Sequence, residues 1–308
     1  MLAIKTEHLA KIYKTGGKET KAIQDLNLDV TPNQIYGFLG PNGAGKTTTI
    51  NILLGLTAPT AGTAWILEKQ IGNIEIKQKI GFLPQSPYFY ESFSSVELLN
   101  FYGKIFKIPR KERFKKIEEL LDMVGLTDSR KIPLRKFSRG MLQRIGIAQT
   151  LINNPDLVFF DEPIAGLDPV GRKEVMDTIL NIKKQGRTVF FCSHVLHDVE
   201  MLCDSIGVLD KGQLIVSGKL KDLLKAKEIE ISVEQLDKKG LSMVKGKVDG
   251  FRIDGDIVTV TVNDRRQVSE IEDIMEANNG KRISITPHKE SLEDYFLKST
   301  EKKGGEKA

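Results

Sequence analysis

The chain is poor in most of the features that would place it in a special class. It has 2 cysteines and 1 tryptophan among 308 residues, too few thiols for a disulfide scaffold. Cys192 and Cys203 sit in apolar stretches and form no C-x-x-C pair, so buried thiols in a reducing compartment are expected. No apolar run approaches the ~18–20 residues that a membrane-spanning helix needs. The most apolar segments, such as residues 157–160, have the length of short strands. The stretch from Met1 to Thr6 lacks a basic region followed by an apolar core, so no secretory signal is expected. No internal repeat is visible. Charge of one sign is scarce as well: 46 Lys and Arg against 41 Asp and Glu leave +5, too little to argue for nucleic-acid binding. The excess is local. Residues 104–139 hold twelve Lys or Arg and five Asp or Glu, a block of +7, so the remainder carries −2.

What is present is an ordinary globular composition, 40% apolar and 28% charged, with a length that permits a main domain and a smaller one. Residues 3–9 and 22–30 alternate in polarity and read as antiparallel strands joined by a turn at Gly16-Gly17. An apolar run at 34–39 leads into a glycine-rich loop and then a helical period from Lys46 to Gly55. Short strands are expected at 62–67 and 79–83, and helix from about Ser94 to Gly125, interrupted by Pro109. From Leu157 onward, strands at 157–160, 187–192 and 205–209 alternate with helices at 172–184 and 195–203. That pattern implies right-handed crossovers and a parallel sheet. After residue 226 the texture changes to a small α+β appendage. Its strands are expected at 228–233, 246–253, 257–262 and 282–286, and its helices at 265–277 and 291–298. The charged tail at 301–308 is expected to be frayed and flexible.

The chemistry starts at Gly40-Pro41-Asn42-Gly43-Ala44-Gly45-Lys46-Thr47, which fits G-x-x-x-x-G-K-[ST]. It stands between an apolar strand and a helix, where a phosphate-binding loop operates. Glycines let successive N–H groups point at phosphate oxygens, and the helix start adds partial positive charge. Lys46 is expected to reach the β- and γ-phosphates, and Thr47 to hold Mg²⁺ by its hydroxyl. Such a loop needs a second acid for the metal. Asp161 and Glu162, closing the apolar run 157–160, supply a pair. Asp161 is expected to position the Mg²⁺ shell and Glu162 to polarise the attacking water. Neighbours on a strand point to opposite faces, which suits two different jobs.

With these two elements placed, the segments around them resemble the ABC transporter ATPases. Phe137-Ser138-Arg139-Gly140-Met141-Leu142-Gln143-Arg144 resembles their signature segment, usually Leu-Ser-Gly-Gly-Gln; Phe137, Arg139 and Met141 depart from that form. Gln85 resembles the Q-loop glutamine, Gly166-Leu167-Asp168 the D-loop, and His194 the switch histidine. Tyr13 stands where the family has the aromatic that stacks on adenine. The Ser-x-Gly-Met variant and residues 291–297 are similar to exporter subunits of the ABC-2, drug-resistance type. The resemblance implies an α/β fold: a P-loop NTPase cassette at 1–225, with a RecA-like core, an antiparallel β subdomain and a helical subdomain at about 86–152. A small α+β accessory domain would follow at 226–300. It further implies ATP and Mg²⁺ as ligands, with Gln85 sensing Mg²⁺ and the nucleophilic water, and His194 contacting the γ-phosphate. Each ATP would lie in a head-to-tail dimer, between residues 40–48 (Gly40 to Thr48) of one copy and Ser138, Arg139, Gly140 and Met141 of the other, with Asp168 at the same junction. Hydrolysis would energise a separate membrane permease, placing the chain on the cytoplasmic face of the cell membrane as an exporter subunit.

Taken singly, several of these residues are ordinary. A histidine after a buried strand usually satisfies a structural hydrogen bond, and a strand tyrosine such as Tyr13 usually packs. His194 and His197 lack an H-E-x-x-H pattern, so no zinc site is expected. Trp65 reads as core. The basic block reads either as a solvated face or as a surface for acidic permease residues or anionic headgroups. Phe89, Tyr90 and Phe93 are better candidates for a permease groove, since aromatics dominate interface hot spots. Two other classes compete. A soluble ABC ATPase acting on ribosomes or nucleic acid usually carries two cassettes, and one is visible. A non-catalytic nucleotide-binding regulator is opposed by the joint presence of Lys46, Asp161, Glu162 and His194.

Overall fold

Alternation of apolar and polar residues builds the first sheet in the computed structural model, which describes residues 1–224, 226–248, 250–262, 265–289 and Leu292. β1 (Ile4–Thr15) and β2 (Lys18–Val30) pair antiparallel around Gly16-Gly17. The chain then leaves this sheet for β3 (Ile35–Leu39), a strand of the second sheet, and runs through the glycine-rich loop into α1 (Lys46–Leu53). β4 (Ala61–Ile66) returns to β1, and β5 (Lys69–Gln70) completes the order β2-β1-β4-β5. Trp65 does not join the core. Ala64 and Ile66 take the buried face of β4, which leaves Trp65 half-buried on the other face, with the Lys5 ammonium 5.6 Å from its ring centre.

The second sheet carries the main core. β6 (Ile80–Leu83) is followed by a helical arm of α2 (Ser95–Ile105), α3 (Arg110–Met123) and α4 (Arg139–Thr150). Ser94 and Glu97 form a capping box that starts α2, and Pro109 separates α2 from α3. After the arm come β7 (Leu157–Asp161), α5 (Pro169–Lys184), β8 (Thr188–Ser193), α6 (Leu196–Leu202) and β9 (Ser205–Asp210). These strands run parallel with β3 and β6. β10 (Gln213–Lys219), not expected from the sequence, adds an antiparallel edge, giving the order β10-β9-β3-β8-β7-β6. Every residue of β3, β7 and β8 is buried, as strands covered on both faces must be. The Tyr36 and Phe190 rings stack at 5.7 Å, and Phe159 lies 5.5 Å from Phe190. Because these strands are parallel and in close register, the residues that follow β3, β6, β7 and β8 emerge along one edge of the sheet. Ligands of open α/β sheets bind beyond that edge.

The chain divides into two compact units, Met1–Leu220 and Lys221–Ala308, with the short α7 (Leu220–Leu223) at the division. The second unit runs β11 (Ala226–Glu234), α8 (Lys238–Lys245), β12 (Gly250–Asp254), β13 (Ile257–Val262), α9 (Arg265–Ala277) and β14 (Lys281–Lys289). Its strand order is β12-β13-β11-β14 with every pairing antiparallel, the split-βαβ arrangement. Ile231, Val260, Val262, Ile271 and Met275 fill its core. α8 is absent from the sequence reading, and the strand expected from 246 starts at Gly250 instead. The Asp237 carboxylate accepts from the Gly240 N–H at 2.7 Å and starts the helix there. The helix expected at 291–298 and the tail at 301–308 lie outside the described residues.

The arm meets the core sheet where α4 packs on β6. A Cβ added to Gly81 would stand 2.3 Å from the Thr150 carbonyl oxygen, a backbone atom that no rotamer change can move. Gly81→Ala is therefore expected to destabilise the protein by about 1–3 kcal/mol, read as a lowered urea midpoint with an unchanged m-value.

Candidate active site

The loop after β3 is shaped by close approach. A Cβ on Gly40 would meet the Leu209 carbonyl oxygen at 2.3 Å, and one on Gly45, whose φ is 113°, the Ala22 carbonyl oxygen at 2.4 Å. Only glycine fits either position. Ala44 is buried, and its carbonyl accepts from the Gly212 N–H at 2.9 Å, tying the loop to the β9–β10 turn. α1 then starts with no side-chain cap and no acid in its first turn, so its first N–H groups are left for an anion.

Three charged side chains converge beside that loop, all of them buried. The Lys46 ammonium donates to the Gly40 carbonyl at 2.6 Å and lies 3.3 Å from Glu162 Oε1. Thr47 donates from its hydroxyl to Asp161 Oδ2 at 2.9 Å. Burial raises the Asp161 carboxyl above its ordinary range; the Thr47 hydrogen bond and Lys46 oppose this, while the Glu162 charge adds to it. Glu162 Oε2 lies 2.8 Å from His194 Nδ1. Two oxygens, Asp161 Oδ1 and Glu162 Oε1, are buried without any hydrogen-bond partner.

The two carboxylates diverge, but the strand pleat is not the cause. β7 ends at Asp161; Glu162 lies beyond it with φ 52°, a left-handed conformation, its N–H donating to the Cys192 carbonyl at 3.1 Å. A non-glycine residue held there costs of order 1–3 kcal/mol, and such strain concentrates at functional sites. Pro41, Asn42, Gly43, Gly45, Lys46, Thr47, Thr48, Gln85, Asp161 and Glu162 together line one cleft of about 360 Å³.

Residues 23–165 match the family described as ABC transporter. An uncharacterized ABC transporter ATP-binding protein of Synechocystis sp. is 39% identical over 307 residues, covering 98% of this chain and 85% of the relative. The bacitracin transport ATP-binding protein BcrA of Bacillus licheniformis is 36% identical over 301 residues, 96% of each. The chain belongs to the ABC transporter ATP-binding proteins. Among solved structures, the dimeric cassette MJ0796 bound to ADP and Pi aligns with a TM-score of 0.64 at 27% identity, over 70% of this chain and 98% of that one. The protein is an ATP-binding and ATP-hydrolysing subunit.

In this ABC ATPase the remaining motif residues lie apart from the cleft lining. Ser138 is the N-cap of α4, and its hydroxyl accepts from the Met141 N–H at 3.2 Å. Asp168 caps α5 by accepting from the Gly171 N–H at 3.0 Å. Gly140 and Gly171 bring the two helix starts together, since a Cβ on Gly140 would lie 3.6 Å from the Gly171 Cα. Tyr13 is 38% exposed on β1, with the Lys11 ammonium 5.0 Å from its ring centre. The same ammonium donates to the Ala58 carbonyl at 2.7 Å.

The aromatic patch after Gln85 needs a correction. Phe89 is buried and faces inward, whereas Tyr88 is 85% and Tyr90 55% exposed. Tyr88, Tyr90, Phe93, Phe101 and Tyr102 form a chain of ring contacts at 5.3–6.4 Å. One member of the basic block is internal: Arg113 is buried and donates to Asn100 and the Ile108 carbonyl, while on the surface Arg130 pairs with Glu118. Both cysteines are buried, and burial holds their thiols well above the ordinary range, so they are inert packing groups.

Thr47→Val would leave both Asp161 oxygens buried and unpartnered. In the nucleotide-free protein it is expected to cost about 1–3 kcal/mol in urea unfolding, while Thr47→Ser stays near wild type.

Proposed function

We propose that two copies of this chain close head to tail around two ATP molecules and drive a separate membrane permease in export. The observation that supports this reading is the separation of the two anion-facing elements. The phosphate loop, Lys46 and both carboxylates share one cleft, whereas the capped, acid-free start of α4 at Ser138 lies outside its lining. A second copy supplies the missing wall. BcrA, similar along 96% of its length, is named for bacitracin transport, which favours transport over action on ribosomes or nucleic acid. In this reading residues 1–225 are the working cassette, with 86–152 as its arm, and residues 226–300 are accessory.

At the site, residues 40–48 hold the phosphates through backbone N–H groups, and Lys46 meets the β- and γ-phosphates. Tyr13 stacks on adenine. Thr47, Gln85 and Asp161 offer the hard oxygens that Mg²⁺ prefers, and the orphaned Asp161 Oδ1 fits such a cation. A Mg²⁺ held by these oxygens would supply positive charge against the negative charge of the nucleotide's phosphates. Glu162 orients a water at the γ-phosphorus. As the new O–P bond forms and the bond to the β-phosphate oxygen breaks, Glu162 takes the water's proton, leaving ADP and inorganic phosphate. His194 holds Glu162 through their 2.8 Å contact and touches the γ-phosphate, so it distinguishes ATP from ADP. Ser138 and Gly140 of the second copy close over the same phosphates. Tyr88, Tyr90, Phe93 and Phe101 present an aromatic surface to a cytoplasmic segment of the permease, which keeps the subunit on the cytoplasmic face of the membrane. Lys and Arg residues of the 104–139 block would meet acidic groups there.

Glu162→Gln keeps the shape and removes the base. With ATP and Mg²⁺ it is expected to elute at twice the monomer mass, and adding Lys46→Ala to it should abolish that shift. A Glu162→Gln protein that stays monomeric at high concentration contradicts the dimer. Separately, Lys46→Ala is expected to lose ATP turnover, and retained hydrolysis would remove Lys46 from the site.

A further inference from the structure

Arg139 stands where the signature segment usually has glycine, and its position opposes simple electrostatics. The first turn of a helix favours acids, and α4 instead begins with a guanidinium. The side chain has a definite seat. Gly166, in the loop between β7 and α5, has φ 70° and no side chain. A Cβ there would lie 2.5, 2.6 and 2.8 Å from Arg139 Nη1, Cζ and Nη2. The guanidinium therefore rests flat on the bare Cα of Gly166. Among the described residues it has no carboxylate partner, so an ion pair does not explain this placement. The next residue, Gly140, meets Gly171, whose N–H is held by Asp168. Two helix starts are thus joined by a glycine pair and by one guanidinium laid over a third glycine.

We propose that Arg139 is a positioning residue: its guanidinium clasps the Gly166–Asp168 loop to the signature helix, so that the two segments reach the second copy's nucleotide as one body. This rests on the head-to-tail dimer proposed above, and it gives Arg139 a task besides nucleotide contact. The flat guanidinium is essential, because an ammonium at the same place is a hydrated point charge that cannot lie on a Cα. The clasp acts on the closed, reacting state, so it influences turnover more than affinity.

A double-mutant cycle in steady-state ATP hydrolysis tests this, with melting temperatures confirming that each variant is folded. Arg139→Gly is expected to lower kcat about tenfold, a barrier change of about 1.4 kcal/mol, with KM within about twofold. Gly166→Ala, which displaces the guanidinium, should do the same, and the double variant should be no slower than the worse single variant. Arg139→Lys should behave like Arg139→Gly. Multiplying losses of about a hundredfold, a full rescue by lysine, or Arg139→Gly at wild-type kcat each overturns the clasp. Should Gly166→Ala fail to fold, Arg139→Gly and Arg139→Lys still decide. If Arg139→Gly in the Glu162→Gln background still dimerises with ATP, the dimer reading stands whatever the cycle shows. If Glu162→Gln alone never dimerises, that reading fails instead.

Discussion

Two buried carboxylates beside one buried ammonium are the constraint on which the rest of this structure depends. Lys46 pairs with Glu162, Asp161 is held by the Thr47 hydroxyl, and each carboxylate keeps one oxygen without a hydrogen-bond partner. Burying a charge without full compensation costs several kcal/mol, so the nucleotide-free protein holds these groups against its own stability. In the proposed reading, a bound nucleotide would offer these oxygens new partners.

Holding such a cluster requires a rigid frame, and the parallel sheet provides it. β3, β7 and β8 are buried along their whole length, with Phe38, Phe159 and Tyr36 packed around Phe190. Because the strands are parallel, Gly40, Gln85, Glu162 and His194 follow strand ends on one edge without any long-range folding of loops. The sharp left-handed turn at Glu162 then aims its carboxylate at Lys46 and His194 rather than along the strand. The arm hangs from the same sheet through β6 and α4, so the signature helix is tied mechanically to the strand that leads to Gln85.

Much of this is written in local patterns. The runs 35–39, 157–160 and 189–192 carry no charged or strongly polar side chain because their strands are covered on both faces, and such runs between turn signals are legible. The phosphate loop is legible for a different reason: its glycines answer to close backbone approaches that no other residue tolerates. What stayed hidden depends on partners distant in sequence. Tyr88, Phe89 and Tyr90 are three aromatics in a row, and only the packing of the arm decides that Phe89 turns inward. Trp65 was expected inside, yet the register of β4 places it opposite Ala64 and Ile66. α8 is short and begins with Lys-Lys-Gly, so its periodicity is weak; its start is set by a single Asp237 cap. The departure of Glu162 from the strand follows from its hydrogen bond to Cys192, thirty residues away. The seat of Arg139 on Gly166 is likewise invisible until β7, α4 and α5 are packed.

The proposed site is divided between two copies of one chain, each contributing a phosphate cradle to one nucleotide and a signature helix to the other. The most direct test is a crystal structure of the Glu162→Gln protein with ATP and Mg²⁺. The expected result is two nucleotides, each with its γ-phosphate between Lys46 of one copy and Ser138 of the other. A structure in which each nucleotide touches one chain alone, with Ser138 facing solvent, contradicts it.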